Sequence, residues 1–157
     1  MSRRPFQAFL DEHRTPVLAY LRAMVGPSDA DDVFQETFMA ALKSYESLDG
    51  AHPRAWVMTI ARNKAIDHHR SASRRAIPQG DDLPDVAAPG RPEPDPELWA
   101  AVGELPERQR EAVGLRFAAD LRYREIAGAM DTSEEAARRS VHEGLKKLRL
   151  TVSKEER

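Results

Sequence analysis

Six prolines fall within residues 78–97 (Pro78, Pro84, Pro89, Pro92, Pro94 and Pro96), and a stretch so rich in proline cannot run as a regular helix or a central strand. Acids accompany the prolines and apolar residues are sparse, so this stretch reads as an extended linker. It divides the chain into a unit of residues 1–77 and a unit of residues 98–157. On both sides the apolar residues recur at helical spacing, with no convincing strand and no internal repeat. The expected fold is therefore all-α: two small helical domains joined by an acidic, proline-rich linker.

In the first unit Phe6, Phe9, Leu10 and His13 share one helix face. Thr15 before Pro16 suits an N-cap followed by proline at the first helical position, so a fresh helix start is expected there. Val17, Leu18, Leu21 and Val25 continue the stripe up to Gly26-Pro27. In the next helix, expected to be capped by Ser28 or Asp29, the inward stripe is Ala30, Val33, Phe34, Thr37, Phe38, Ala41, Leu42 and Tyr45. Asp31, Asp32, Gln35, Glu36 and Lys43 occupy its other face. After the break at Gly50 and Pro53, a third helix from about Arg54 to Arg75 turns Trp56, Val57, Ile60, Ala61 and Ala65 inward.

The second unit opens with Leu98-Trp99. A helix over 107–117 is expected to bury Val113 and Phe117, and a short one over 123–130 to bury Ile126, Ala127 and Met130. Thr132 and Glu135 have the T-x-x-E spacing of a capping box, opening a last helix that runs to about Leu150. Ala137, Val141, Leu145 and Leu148 form its buried stripe and leave Arg138, Arg139, His142, Lys146 and Arg149 outside. A short helix, a turn and a longer helix with exposed basic positions make a helix-turn-helix candidate of a size that fits the DNA major groove. A plain helical hairpin with a solvated face has the same periodicity.

With no cysteine, disulfide and thiolate chemistry are excluded and a reducing, cytoplasmic setting is expected. No apolar run reaches the roughly 20 residues of a membrane span. The net charge of −2 argues against nucleic acid, but its distribution does not. Residues 51–77 carry Arg54, Arg62, Lys64, Arg70, Arg74 and Arg75 against Asp67 alone, whereas residues 78–106 carry seven acids against Arg91. Asp67-His68-His69 is a poor metal site, because adjacent helical side chains diverge by about 100°. No nucleophile triad, phosphate-binding glycine loop or inward carboxylate pair is recognisable. Neither enzymatic activity nor a cofactor or metal is expected.

Three stretches carry a resemblance. Asp29-Ala30-Asp31-Asp32-Val33-Phe34-Gln35-Glu36-Thr37-Phe38 resembles region 2.2 of the extracytoplasmic-function group of sigma factors, in the sigma-70 family. The run from Pro53 through Arg62-Asn63-Lys64-Ala65-Ile66-Asp67 resembles regions 2.3 and 2.4. Leu105-Pro106-Glu107-Arg108-Gln109-Arg110-Glu111-Ala112-Val113 with Tyr123-Arg124-Glu125-Ile126-Ala127 resembles region 4. They stand in family order and cover nearly the whole chain.

The resemblance implies a transcription initiation factor that binds bacterial RNA polymerase core and directs it to promoters through their minus-10 and minus-35 elements. Residues 1–77 then form the core and minus-10 domain, and residues 98–157 the minus-35 domain. Asp31, Asp32, Gln35 and Glu36 match the positions that dock on the basic coiled coil of the largest polymerase subunit. Arg54, Arg62, Lys64, Arg70 and Arg74 are implied phosphate contacts at the minus-10 element, with Asn63, Asp67 and His68 near its bases. Tyr123, Arg124, Glu134, Glu135, Ala136, Arg138, Arg139 and His142 are the implied minus-35 residues. The turn departs from the family's Leu-Gly-Ile-Ser, reading Met130-Asp131-Thr132-Ser133, which puts Asp131 at a left-handed position. Ser140 stands where an arginine is usual. The acidic linker, with Asp81, Asp82 and Asp85, would thread the polymerase cleft or act as a plain tether. An anti-sigma factor is a further implied partner, and packing of the two domains together, or against such a partner, would hide both DNA surfaces. Two other readings remain at this stage: a regulator that binds duplex DNA through the second unit alone, and an interaction protein that touches no DNA.

Overall fold

In the computed structural model, residues 5–48, 52–75 and 96–155 are described. Seven α-helices are found among them: α1 (Phe6–Val25), α2 (Pro27–Ser44), α3 (Pro53–Arg75), α4 (Pro96–Gly103), α5 (Glu107–Val113), α6 (Tyr123–Met130) and α7 (Glu134–Glu155). Nearly all of the proline-rich stretch, with Asp81, Asp82 and Asp85, lies outside the described residues.

Helix α1 is continuous through Pro16, so the expected new start at Thr15 is not made. Pro16 has no N–H to offer the Glu12 carbonyl, and such a loss costs about 3 kcal/mol in a helix interior. Continuity is favoured because one uninterrupted face buries Phe9, His13, Val17, Tyr20, Leu21 and Met24. Gly26, at φ 88°, turns the chain into α2 and caps it with Pro27 next in line, in place of Ser28 or Asp29. A second correction concerns Leu42, expected inside and 56% exposed. The α2 core is instead Ala30, Val33, Thr37, Phe38 and Ala41. Helix α3 buries Val57, Met58, Ala61 and Ala65, with Trp56 and Ile60 partly buried against the core. Phe9 holds Phe38, Tyr45 and Trp56 around its ring at centroid distances of 5.2–6.4 Å, which ties the three helices together.

In the second domain α5 ends in a π-helical turn, Gly114–Ala118, which rotates Phe117 out of the core to 55% exposure. That reverses the expected burial of Phe117. Helix α6 buries Ile126, Ala127, Ala129 and Met130 and stops at Asp131, whose φ of 52° and ψ of 54° are left-handed, as the substituted turn predicts. The Thr132 N–H donates back to the Ala127 carbonyl at 2.9 Å, so Thr132 closes the α6 C-terminus. The α7 cap is Ser133, whose Oγ accepts from the Ala136 N–H at 3.1 Å, one residue later than the expected Thr132. Ala137, Val141 and Leu148 are buried as expected, with Leu145 partly buried against them.

The two domains pack together. α1 lies against α4, α5 and the π turn, α3 lies against α6, and one hydrophobic cluster runs through both domains.

Candidate functional site

Asp31, Asp32, Gln35 and Glu36 are all exposed on α2. At about 100° per residue, Met39 falls between Gln35 and Asp32 around the helix, and Leu42 falls beside Gln35. Met39 is 61% exposed, so with Leu42 it makes an apolar centre within an acidic face. Sequence reasoning missed this pair because Leu42 also lies four residues beyond Phe38, and that spacing alone assigned it to the core. The spacing of Met39 from Asp32 and Glu36 carried the correct signal.

A groove of about 770 Å³ runs between α2 and α3. Asp32, Glu36, Met39 and Lys43 form one wall; Lys64, Asp67, His68 and Ser71 form the other. The acidic face of α2 and the polar end of α3 therefore border one depression. His68 Nε2 lies 3.1 Å from Asp29 Oδ2, and His69 Nε2 lies 2.7 Å from the Met24 carbonyl. The two imidazoles fasten α3 to the start of α2 and the end of α1 respectively. Among the described residues no cluster of three or more His, Cys, Asp or Glu is placed to hold a metal.

The basic residues of α3 diverge. Arg54, at its N-terminus, donates Nε–H to His13 Nδ1 at 3.4 Å and ties α3 to α1. Asn63, Asp67 and Arg70 are exposed, and Lys64 is half-buried. The side chain of Arg74 lies outside the described residues. Arg62 turns into the second domain: Nη1 donates to the Ala129 carbonyl at 3.1 Å and Nη2 to Glu111 Oε2 at 3.4 Å. Glu111 is buried, and burial pushes its carboxyl above the usual glutamate range against the opposing pull of Arg62. Burial, and then the Glu111 charge, also hold the Tyr20 hydroxyl above its ordinary value. Tyr20, Glu111 and Gly114 were missed as candidates, since periodicity within one domain carries no signal of a residue in the other.

On the second domain Arg124, Glu134, Glu135, Arg138, Arg139 and His142 are exposed, while Tyr123 and Ala136 are half-buried. The guanidinium carbons of Arg116 and Arg138 each lie 4.8 Å from the Tyr123 ring centroid. Arg116 is anchored by donation to the Leu121 carbonyl at 2.9 Å, and Arg138 also pairs with Glu134 at 3.6 Å. Arg138 is thus aligned along the first turns of α7. Packing of the domains leaves this helix uncovered, contrary to the expectation that both DNA surfaces would be hidden.

Residues 9–75 match the family model of Sigma-70 region 2, and residues 96–148 match that of Sigma-70 region 4. The ECF RNA polymerase sigma factor SigF of Caulobacter vibrioides is 35% identical over 133 residues, covering 82% of this chain and 74% of the relative. SigX of Bacillus subtilis, also an ECF RNA polymerase sigma factor, is 30% identical over 159 residues, covering 92% and 81%. In fold the chain is similar to the Bartonella quintana sigma factor RpoE, solved in complex with the anti-sigma factor NepR. That likeness has a TM-score of 0.78 at 21% identity and covers 94% of this chain and 96% of the other.

Proposed function

The chain belongs to the extracytoplasmic-function group of sigma factors, and on that premise we propose how its surfaces divide the work of binding RNA polymerase core and directing it to promoters. The observation that carries the division is α2: an exposed acidic face, Asp31, Asp32, Gln35 and Glu36, surrounding the exposed Met39 and Leu42. Met39 and Leu42 are too exposed to add much to the core, so burial within the fold gives no reason for their placement. A basic partner with an apolar contact at its centre does give a reason. We assign this face to the polymerase core.

Helix α3 serves the minus-10 element. Strand opening needs cations along a backbone and polar groups beside unstacked bases. Arg62, Lys64 and Arg70 supply the cations; Asn63, Asp67 and His68 supply the polar groups near the groove. Arg54, engaged with His13, acts in holding α3 in place. Helix α7 serves the minus-35 element as duplex, with Arg138 and Arg139 at the major groove, Tyr123 supporting Arg138, and Arg124, Glu134, Glu135, Ala136 and His142 around them.

The protein acts by positioning polymerase and performs no chemistry of its own. Absence of cysteine fits work in the reducing cytoplasm, and no described helix is long and apolar enough to cross a membrane. An anti-sigma factor is a fitting regulator, as the RpoE–NepR complex has for a chain of the same fold.

Co-elution of the chain with bacterial core polymerase on a sizing column tests the assignment. Wild type co-elutes and Asp32→Arg does not, while Arg138→Ala co-elutes and has weakened minus-35 recognition. Failure of a folded wild-type chain to bind a cognate core refutes the reading and favours a regulator acting through α6 and α7 alone.

A further inference from the structure

The chain has no cysteine, so methionine supplies all of its sulfur, at Met1, Met24, Met39, Met58 and Met130. Met24, Met58 and Met130 are buried, and Met1 lies outside the described residues. Met39 is the reverse of the buried three: its side chain is largely exposed, at the centre of the acidic face of α2. We propose that Met39 is a reversible oxidation site, at which a hydroperoxide converts the thioether to a sulfoxide and so withdraws the chain from polymerase core. The proposal rests on the assignment of this face to the core.

The step is an oxygen transfer. Met39 Sδ attacks one oxygen of the peroxide, and the O–O bond breaks as the S–O bond forms. The proton of the transferred oxygen passes to the departing one, which leaves as water, or as an alcohol from an organic hydroperoxide. Sulfur loses two electrons and the peroxide gains them. A dithiol sulfoxide reductase reverses the change, ending with its own disulfide and water. A thioether has no proton to lose, so access decides which methionine reacts. Burial denies the reagent to Met24, Met58 and Met130 and leaves Met39 open to it.

Position decides what the oxidation does. Leu42, beside Met39, offers a similar apolar surface with no atom that a peroxide attacks. A sulfoxide oxygen is a strong acceptor, and enclosing it without a donor in an apolar contact is unfavourable. Donors stand to one side instead. Lys43, one turn along α2, and Lys64, on the α3 wall, line the same groove as Met39. They give the new oxygen ammonium groups to turn to, drawing the side chain into the groove and away from the docking face. The fold itself is spared, because an exposed side chain carries little of the core, whereas a sulfoxide at buried Met58 would disrupt it. Oxidation at Met39 thus separates polymerase binding from stability.

Peroxide treatment of the full chain, followed by peptide mass spectrometry and titration with core polymerase, tests the site. Met39 should gain one oxygen about tenfold faster than Met24, Met58 or Met130, and bound core should slow its oxidation by a similar factor. The oxidised chain should bind core about tenfold more weakly than its own untreated sample, with an unchanged thermal unfolding midpoint. A sulfoxide reductase supplied with a dithiol should restore the affinity. Met39→Leu, whatever its starting affinity, should show the same value before and after peroxide, which removes Met1 as the cause. Met39→Gln, with a carbonyl in place of the sulfoxide, should weaken core binding about tenfold without peroxide. An equal loss in treated Met39→Leu, or oxidation of the buried methionines as fast as Met39, overturns the site. If the oxidised chain keeps its affinity while Asp32→Arg loses it, the site fails and the polymerase assignment of α2 stands. If Asp32→Arg also binds normally and core leaves Met39 reactive, that assignment fails and the site falls with it.

Discussion

Alanine in place of glycine at two helical positions of the second domain should change stability in opposite directions. Gly128, in α6, is exposed, and a Cβ built there meets nothing within 4 Å. Gly144, in α7, faces α5, where a Cβ would lie 2.7 Å from Val113 Cγ2 and 3.5 Å from Leu105 Cδ1. Both substitutions gain up to about 1 kcal/mol of helix propensity. At Gly128 nothing opposes that gain, so Gly128→Ala stabilises by about 0.5–1 kcal/mol. At Gly144 the overlap is about 1 Å relative to an ordinary carbon–carbon contact of about 3.5–4.0 Å. Val113 is 2% exposed and β-branched on a helix, where one rotamer is strongly preferred, so relief of the overlap falls on α7. Overpacking of this kind costs about 1–3 kcal/mol, leaving Gly144→Ala between neutral and about 2 kcal/mol destabilised. Urea unfolding followed by circular dichroism measures the pair directly. Because α7 carries Arg138 and Arg139, its shift should also weaken minus-35 binding in Gly144→Ala and leave Gly128→Ala unaffected. Equal stabilisation by both variants would refute the close approach of α5 and α7.

Met39→Ala with Leu42→Ala should cost about tenfold or more in core affinity, about 1.4 kcal/mol, while unfolding stability stays within about 0.5 kcal/mol because both side chains are exposed; equilibrium titration with labelled core checks it. Tyr123→Ala should weaken duplex binding by freeing Arg138, and Arg138→Ala should lower the salt slope of binding by about 0.9 if it meets a phosphate and leave it unchanged if it meets only bases. Stability should depend on pH through Glu111, which faces Arg62 of α3 and Tyr20 of α1, with Glu107, Arg108 and Arg110 on its own helix. Burial raises its carboxyl in the folded chain, so its contribution to stability is complete below the ordinary glutamate range and is lost as pH rises through the raised value. Urea unfolding should show that loss over the window in wild type and not in Glu111→Gln.

Much of this molecule was legible in its sequence because helical periodicity reports local burial. The stripes on α2, α3, α6 and α7 were placed nearly as they stand, and Asp131 took the left-handed turn its position required. The errors came from two sources. One was local chemistry overruled by packing: Pro16 suggested a helix start, yet burial on either side of it carries α1 straight through. The other was spacing shared by two faces, as at Leu42, or altered by a backbone irregularity, as at Phe117, where one π turn rotates the side chain outward. The contact between the domains was beyond any such reading. Arg62 and Glu111 are far apart in sequence, and nothing in the pattern of either helix says that they meet.

We propose that one chain carries a polymerase surface on α2 and promoter surfaces on α3 and α7, and that polymerase makes the promoter surfaces effective. The most direct test mixes fragmented genomic DNA from the source organism with core polymerase, with the chain, or with both, and sequences what is retained. Only the combination should enrich a common set of fragments. These should share two short motifs at fixed spacing, with Asp32→Arg abolishing the enrichment and Arg138→Ala weakening the upstream motif alone. The same fragments retained by the chain without polymerase, or no shared motif with polymerase present, would contradict it.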